Sequence, residues 1–122
     1  MDIINQLSDF FVVKAVEDLI NWELEDKFLE GTGSMVLDRV NRIAYAAISD
    51  RTHQEVLSDV YKRKNYQPVM FHSFQTVIDE RLPIYHTNVM MCVGEEFAVI
   101  CMDAIDNQIE RINIVKSLEG NH

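Results

Sequence analysis

The sequence predicts an α/β fold in which a strand–strand–helix–strand unit occurs twice. Subtracting Ser34 from Asn88 gives an offset of 54 residues, which brings a second pair of short apolar segments onto a first pair. A helical pattern follows each pair, and a fixed period of this length is typical of stacked units that cannot bury a core alone. The predicted segments are 34–38, 42–48, 52–64 and 67–74 in the first unit and 89–92, 97–102 and 106–118 in the second.

The elements of the first unit follow from local signals. Residues 39–41 separate two apolar segments and are predicted to form the turn of a hairpin. The helix is predicted to begin at Thr52, with Glu55 three residues later completing a capping box. Apolar and polar residues alternate over 67–74, which indicates a strand, and residues 75–82 are predicted to form a polar excursion.

These units divide the chain into three parts. Residues 1–27 carry apolar positions at helical spacing and are predicted to form a helical and connecting segment. Residues 28–83 form the first unit, and residues 84–122 form a second unit that lacks its last strand. Because a missing strand leaves an open sheet edge, we expect either a larger closed architecture or a homo-oligomer joined through that edge.

Composition and charge favour a soluble globular domain, with 122 residues of which 48% are apolar and 25% charged. The net charge of -9 argues against nucleic-acid binding, which depends on Lys and Arg. No apolar run approaches the roughly 20 residues that span a bilayer, so we expect a cytoplasmic protein without membrane contact. The two cysteines lack metal-motif spacing, and we expect no disulfide, no metal site and no cofactor.

Candidate chemistry lies just ahead of the first strand of each unit. Glu30 lies four residues before Ser34, and His86 lies two residues before Asn88. If the units pack about a common axis, both side chains face one rim, where a carboxylate orients an imidazole as a proton donor and acceptor near neutral pH. Each residue also has a structural interpretation, in which Glu30 stabilises a glycine turn and His86 is a hydrogen-bonded polar residue.

Two longer motifs surround these residues within 28–118. They read FLEGTGSMVLDR followed by NRIAYA, and IYHTNVMMCVGEEFAVIC. Together they resemble the guanidino-group modifying, amidinotransferase-type enzymes, and most closely the citrulline and arginine hydrolases of that superfamily. The resemblance implies the pentein fold, a five-unit α/β propeller with substrate in its central channel, of which this chain supplies about two units. It also implies a Cys, His and Glu catalytic set, with Glu30 as its acid and His86 as its histidine.

By analogy with the family, a cysteine thiolate attacks the guanidino or ureido carbon, while His86 protonates the departing nitrogen and then activates water. Glu30 orients the imidazole and binds the substrate together with Gly31 and Asn88. Arginine deiminases carry an acid at the position of Asn88. The resemblance therefore favours citrulline or another ureido compound over arginine.

The nucleophile is not evident within the chain. In the family it lies near the far C-terminus, past His122. Within the chain, Cys101 is an alternative nucleophile, because a two-residue turn at 94–95 would place it across from Asn88. The offset brings it onto Ala47, and a small buried residue suits both positions, so we expect Cys101 to be buried and unreactive.

Two functions remain open from the sequence. The first is a portion of a hydrolase or amidinotransferase that acts on the guanidino or ureido group of a small arginine-like or citrulline-like molecule. This portion would be catalytically silent without its cysteine. The second is a truncated, non-catalytic protein that binds a small ligand or joins a partner chain through its open edge.

Overall fold

The computed structural model describes residues 6, 20–27, 29 and 32–121. Most of the predicted N-terminal helical segment lies outside these residues. None of the described helices is long and apolar enough to cross a membrane. The described helices include α1 (Ile20–Glu23), α2 (Gln54–Lys64) and α3 (Gln108–Asn121), with short 3-10 helices at Thr32–Ser34, Thr87–Val89 and Met102–Ala104. The strands are β1 (Val36–Asp38), β2 (Ile43–Ala47), β3 (Gln67–Phe71), β4 (Phe74–Val77), β5 (Glu80–Pro83), β6 (Met91–Val93) and β7 (Ala98–Ile100).

Strands β1, β2 and β3 form one sheet with β2 in its centre. β2 runs antiparallel to β1 and parallel to β3, so that Tyr45 lies opposite both Val36 and Val69. Asp38 closes the β1–β2 turn, because its Oδ1 accepts a hydrogen bond of 3.0 Å from the Asn41 backbone N–H and its Oδ2 accepts one of 2.9 Å from Asn41 Nδ2. The predicted hairpin is confirmed.

The central strand β2 is buried along its whole length, and its two faces meet different helices. Ala44 and Ala46 belong to the same apolar cluster as Leu57 of α2. Side chains alternate across a strand, so Tyr45 points to the opposite face. Its hydroxyl lies 2.9 Å from Ser117 Oγ, which ties β2 to α3.

Helix α2 begins at Gln54, two residues later than predicted, and has no capping box. His53 occupies the N-cap position without a side-chain hydrogen bond to the helix. Thr52 instead exchanges two backbone hydrogen bonds with Ser49, at 3.1 and 3.2 Å, and its buried Oγ1 has no hydrogen-bond partner. The prediction of Thr52 as N-cap is wrong because this pairing holds its backbone outside the helix.

The predicted polar excursion over 75–82 is a second hairpin, formed by antiparallel β4 and β5. Ile78 and Asp79 form its two-residue turn, with φ angles of 45° and 63°. Two-residue turns with positive φ at both positions usually carry Asn-Gly or Asp-Gly. The Ile-Asp pair therefore gave no turn signal in the sequence.

Strands β6 and β7 form a third hairpin, whose turn differs from the predicted one. The Gly94 N–H donates to the Phe97 carbonyl at 2.7 Å, so the turn consists of the two residues between them. The Cys101 N–H donates to the Met90 carbonyl at 2.8 Å. Cys101 is therefore paired with Met90 and not with Asn88, because Gly94 precedes the turn and is not part of it.

The first and third hairpins share one internal register at an offset of 55 residues. β1 pairs Val36 with Tyr45, and β6 pairs Met91 with Ile100, so both partners are displaced by 55 positions. The predicted offset of 54 is one residue too short. Met90, which that offset placed in the strand, is instead the C-cap of the preceding 3-10 helix.

A hydrogen bond from Trp22 to the carboxylate of Asp59 connects α1 to α2. Trp22 Nε1 donates a hydrogen bond of 3.0 Å to Asp59 Oδ2, which also accepts one of 2.8 Å from Arg63 Nη2. The indole hydrogen bond is the largest cause, ahead of the Arg63 charge, that holds the pKa of Asp59 below its ordinary value. This contact is therefore made by the ionised carboxylate.

We expect the Trp22–Asp59 contact to be lost in acid. A lowered folded-state pKa stabilises the fold fully above the unfolded pKa, and this contribution decreases as pH falls through the folded pKa. Because Trp22 is the one tryptophan of the chain, its fluorescence will report a transition below about pH 4. Asp59→Asn should abolish that transition, whereas Asp50→Asn, at an exposed position, should leave it unchanged. An identical acid transition in Asp59→Asn would contradict the assignment.

Candidate functional site

The two 3-10 helices that precede β1 and β6 contact each other and bring the two sequence motifs together. Gly33 lies so close to the second helix that a Cβ at this position would stand 3.1 Å from Asn88 Oδ1 and 3.2 Å from His86 Cγ and Nδ1. The structure thus places His86 and Asn88 against the glycine of the first motif. His86 and Asn88 belong to the second motif and Gly33 to the first, so the two motifs meet at this point.

Glu30 and Gly31, the other predicted site residues, lie outside the described residues. The predicted contact between the Glu30 carboxylate and the His86 imidazole therefore stays a prediction. Gly33 belongs to the same motif as Glu30 and lies three positions after it. It is described, and it lies beside the His86 side chain.

The buried side chain of Thr87 connects the two 3-10 helices to the central strand. Thr87 Oγ1 donates a hydrogen bond of 2.7 Å to the Ser34 carbonyl and accepts one of 2.9 Å from the Ala47 N–H. Ala47 is the last residue of the central strand, so one hydroxyl joins both motifs to the core. Its neighbours His86 and Asn88 are exposed, whereas Thr87 itself has no exposed surface. The backbone between His86 and Asn88 is therefore fixed by hydrogen bonds, while both side chains face solvent.

His86 lines an open cleft of about 430 Å³ that is also lined by the cationic side chain of Arg51. The Arg51 guanidinium carbon lies 4.7 Å from the centre of the Tyr85 ring, a cation–π distance. The backbone N–H of Arg51 donates a hydrogen bond of 3.2 Å to Ser49 Oγ, within the turn that precedes α2. An imidazole and a guanidinium therefore share one cleft. The other lining residues are Gln75, Leu82, Pro83, Ile84 and Val89.

Arg51 was not among the site residues predicted from the sequence. The available signal was its position in the loop between a strand and a helix, where binding residues are concentrated. That signal is weak because other described loops, such as 39–42 and 105–107, also have charged residues. The contact with Tyr85 depends on how the two units pack, which no local pattern reports.

Cys101 does not line the cleft that carries His86. It lines a second open cleft of about 390 Å³ with Cys92 and Asn88, and this cleft does not include His86. Both cysteines are exposed, so the prediction of a buried Cys101 is wrong. Val99, which pairs with Cys92 across the hairpin, is also 59% exposed, so this side of the β6–β7 hairpin is not packed into the described core. Among the described residues, no three His, Cys, Asp or Glu side chains come together as metal ligands.

Comparison with protein families identifies the relationship. The family model of N,N dimethylarginine dimethylhydrolase, eukaryotic, matches residues 1–122. The chain belongs to this family. The resemblance to guanidino-group modifying enzymes is thereby confirmed, and the fold of the family is the pentein propeller. Comparison with curated proteins and with solved structures gives no match.

Gly33→Ala is expected to displace His86 while leaving the sheet intact. The added methyl group would lie 3.1 to 3.2 Å from the Asn88 and His86 side chains, closer than ordinary van der Waals contact, and both side chains are exposed enough to move. NMR should show shifts of the His86 and Asn88 side-chain resonances, with stability changed by less than about 1 kcal/mol. Gly120→Ala meets no neighbour within 4 Å and is the matched control. Unchanged His86 resonances would contradict this contact.

Proposed function

We propose that this chain is part of a hydrolase that cleaves a carbon–nitrogen bond in the guanidino or ureido group of an arginine-like or citrulline-like substrate. The observation that carries the proposal is the presence of His86 and Arg51 on one cleft. An imidazole there can exchange a proton with a leaving nitrogen. A guanidinium there can bind a carboxylate through two parallel hydrogen bonds. The family match supports the same chemical class.

The proposed architecture is a five-unit α/β propeller, to which residues 28–83 and 84–122 contribute about two units. The equal register of the two hairpins and the contact between their 3-10 helices support this arrangement. In a closed ring, the rim that carries His86 would face the central channel.

The substrate would be held at both ends. Arg51 binds its α-carboxylate, and the Asn88 amide, beside His86, binds the ureido or guanidino group together with Glu30 and Gly31. An amide offers both a donor and an acceptor without charge, whereas a carboxylate only accepts. Asn88 therefore favours a neutral ureido group over a guanidinium cation.

The proposed reaction uses a cysteine outside residues 1–122 as its nucleophile. The thiolate forms a C–S bond with the central carbon, and protonated His86 gives its proton to the nitrogen that leaves as the C–N bond breaks. Neutral His86 then takes a proton from water, whose oxygen attacks the same carbon, and the C–S bond breaks to return the thiolate. Glu30 orients the imidazole through both steps. One water is consumed and one amine or ammonia is released.

The natural gene product tests the proposal directly. Its intact mass in cell extract and its release of ammonia or amine from citrulline, arginine and dimethylarginine would be measured together. A mass above 14.2 kDa with turnover of at least one of these compounds supports the hydrolase. A mass of 14.2 kDa, or a larger protein without turnover of any of them, overturns it in favour of a non-catalytic protein.

Arg51→Gln is expected to remove the preference for substrates that carry an α-carboxylate. Hydrogen bonds to charged groups contribute about 1.5 to 3 kcal/mol, so kcat/KM for L-citrulline should fall about 10- to 150-fold. For the citrulline analogue that lacks the α-carboxylate, kcat/KM should be the same in Arg51→Gln as in the unchanged protein. Arg39→Gln, exposed in the β1–β2 turn, is the matched control. Equal losses on both substrates would show that Arg51 does not bind the carboxylate.

A further inference from the structure

Tyr85, the residue that precedes His86, contacts the guanidinium that binds the carboxylate in the proposed function. The Arg51 guanidinium carbon lies over the Tyr85 ring, 4.7 Å from its centre. Both side chains line the same cleft as His86. Tyr85 is therefore next to His86 in the chain and next to Arg51 in space. It connects the group for the reacting end of the substrate with the group for the carboxylate end.

The backbone on both sides of Tyr85 is held by hydrogen bonds. The Ile84 N–H donates a hydrogen bond of 2.8 Å to the Ser73 carbonyl, and the Ile84 side chain is buried. Two residues after Tyr85, the fully buried Thr87 is hydrogen-bonded to the first motif and to the central strand. The segment that carries Tyr85 and His86 therefore has a fixed position on the sheet.

The backbone of Arg51 is also held, but its side chain is long. The Arg51 backbone N–H bonds to Ser49 Oγ, and the next residue, Thr52, is fully buried and exchanges two backbone hydrogen bonds with Ser49. An arginine side chain has several rotatable bonds, and loss of their freedom on substrate binding weakens binding. The Tyr85 ring restricts the guanidinium before the substrate arrives. A ring contacts the face of a guanidinium and a carboxylate its edge, so the two contacts are compatible.

The other side chains of the cleft are mainly apolar, and such a lining suits the aliphatic part of a substrate. One methylene more or less in an apolar pocket typically changes kcat/KM about 10- to 200-fold. The cleft can therefore select substrates by chain length if its two polar groups stand at a fixed distance from each other. The apolar lining residues are Leu82, Pro83, Ile84 and Val89.

We propose that Tyr85 sets the substrate length by holding the Arg51 guanidinium at a fixed distance from the His86 imidazole. The selected property is the number of methylene groups between the carboxylate and the ureido or guanidino group. This inference rests on the proposed function, in which Arg51 binds the carboxylate and His86 carries the proton. A chain of the wrong length cannot place its central carbon beside His86 while its carboxylate is bound to Arg51. Tyr85 acts through Arg51 and is a positioning residue.

A series of substrates that differ in length tests the role of Tyr85 in the natural gene product. The series consists of the compound that is turned over best and its homologues with one methylene more and one fewer. The unchanged protein should prefer one member by at least about tenfold in kcat/KM. In Tyr85→Leu this preference should shrink to within about threefold, because a guanidinium without the ring reaches substrates of different length. On the preferred member, kcat/KM should fall about 2- to 30-fold, mainly through KM.

Two further variants separate the ring contact from other effects. Tyr85→Phe keeps the ring and should keep the preference. Tyr66→Leu is the matched control, because Arg42 lies over the Tyr66 ring at 5.3 Å and neither residue lines the cleft. The control should leave the preference unchanged. Circular dichroism checks each fold, and Tyr85→Met replaces Tyr85→Leu if the latter does not fold. A preference that Tyr85→Leu retains, or that Tyr85→Phe loses equally, overturns the inference.

A double-mutant cycle shows whether Tyr85 acts through Arg51. In the Arg51→Gln background, Tyr85→Leu should change kcat/KM by less than about twofold, since no guanidinium is left to position. Losses that add would overturn the inference. Its failure differs from failure of the proposed function. No turnover by the unchanged protein overturns both, whereas turnover with the same length preference in Tyr85→Leu overturns only the role of Tyr85.

Discussion

His86→Asn is expected to lower turnover by the natural gene product about 10²- to 10⁴-fold, the usual contribution of a general acid–base residue. Asparagine keeps a polar side chain near Gly33 and Asn88 but cannot carry a proton to the leaving nitrogen. His86 is exposed, so its replacement should leave the thermal unfolding midpoint unchanged. Initial rates on the preferred substrate, measured against pH, provide the test. The loss should be in kcat, since substrate binding does not depend on proton transfer.

The open cleft offers a second measurement on the same residue. In His86→Ala, added imidazole can enter a space of about 430 Å³ and restore part of the activity. His72→Asn is the matched control, because His72 is engaged by Glu110, with Nδ1 and Oε1 2.8 Å apart, and does not line the cleft. Full activity of His86→Asn would contradict the proposed mechanism. So would equal losses in the two histidine variants.

The features of the fold that the sequence predicted correctly are those with local causes. The β1–β2 turn is set by hydrogen bonds between Asp38 and Asn41, three residues apart, and such contacts are visible in the sequence. The start of α2 was misplaced because Thr52 pairs with Ser49, a contact that competes with helix capping. The β4–β5 turn was missed because Ile78 adopts a positive φ that its residue type disfavours.

In the candidate site as well, the sequence indicated what depends on local motifs and missed what depends on tertiary packing. The recurrence of the motifs predicted that Glu30 and His86 face one rim, and this stays a prediction because Glu30 lies outside the described residues. Gly33 of the same motif lies beside His86 and Asn88, since the 3-10 helices before β1 and β6 are in contact. Arg51 could not be found in this way, since its partner Tyr85 is distant in the sequence and only tertiary packing brings them together.

Thr87→Val is expected to give a large loss of stability for one substituted atom. Valine has nearly the same shape, but without Oγ1 the Ala47 N–H and the Ser34 carbonyl lose a partner at a fully buried site. A buried polar group left unsatisfied costs about 1 to 3 kcal/mol, so the loss of the partner of the Ala47 N–H alone should lower the free energy of unfolding by about 1 to 3 kcal/mol. Urea denaturation followed by circular dichroism measures this change.

Two further variants separate the hydrogen bonds of Thr87 from its packing. Thr87→Ser keeps the hydroxyl and should retain most of the stability that Thr87→Val loses. Thr76→Val, at an exposed position of β4, should change the free energy of unfolding by less than about 0.5 kcal/mol. Unchanged stability of Thr87→Val together with destabilisation of Thr87→Ser would show that the methyl packing matters and the hydroxyl does not. Because Thr87 lies between His86 and Asn88, the valine variant should also shift the resonances of both, which links the core of the fold to the reactive rim.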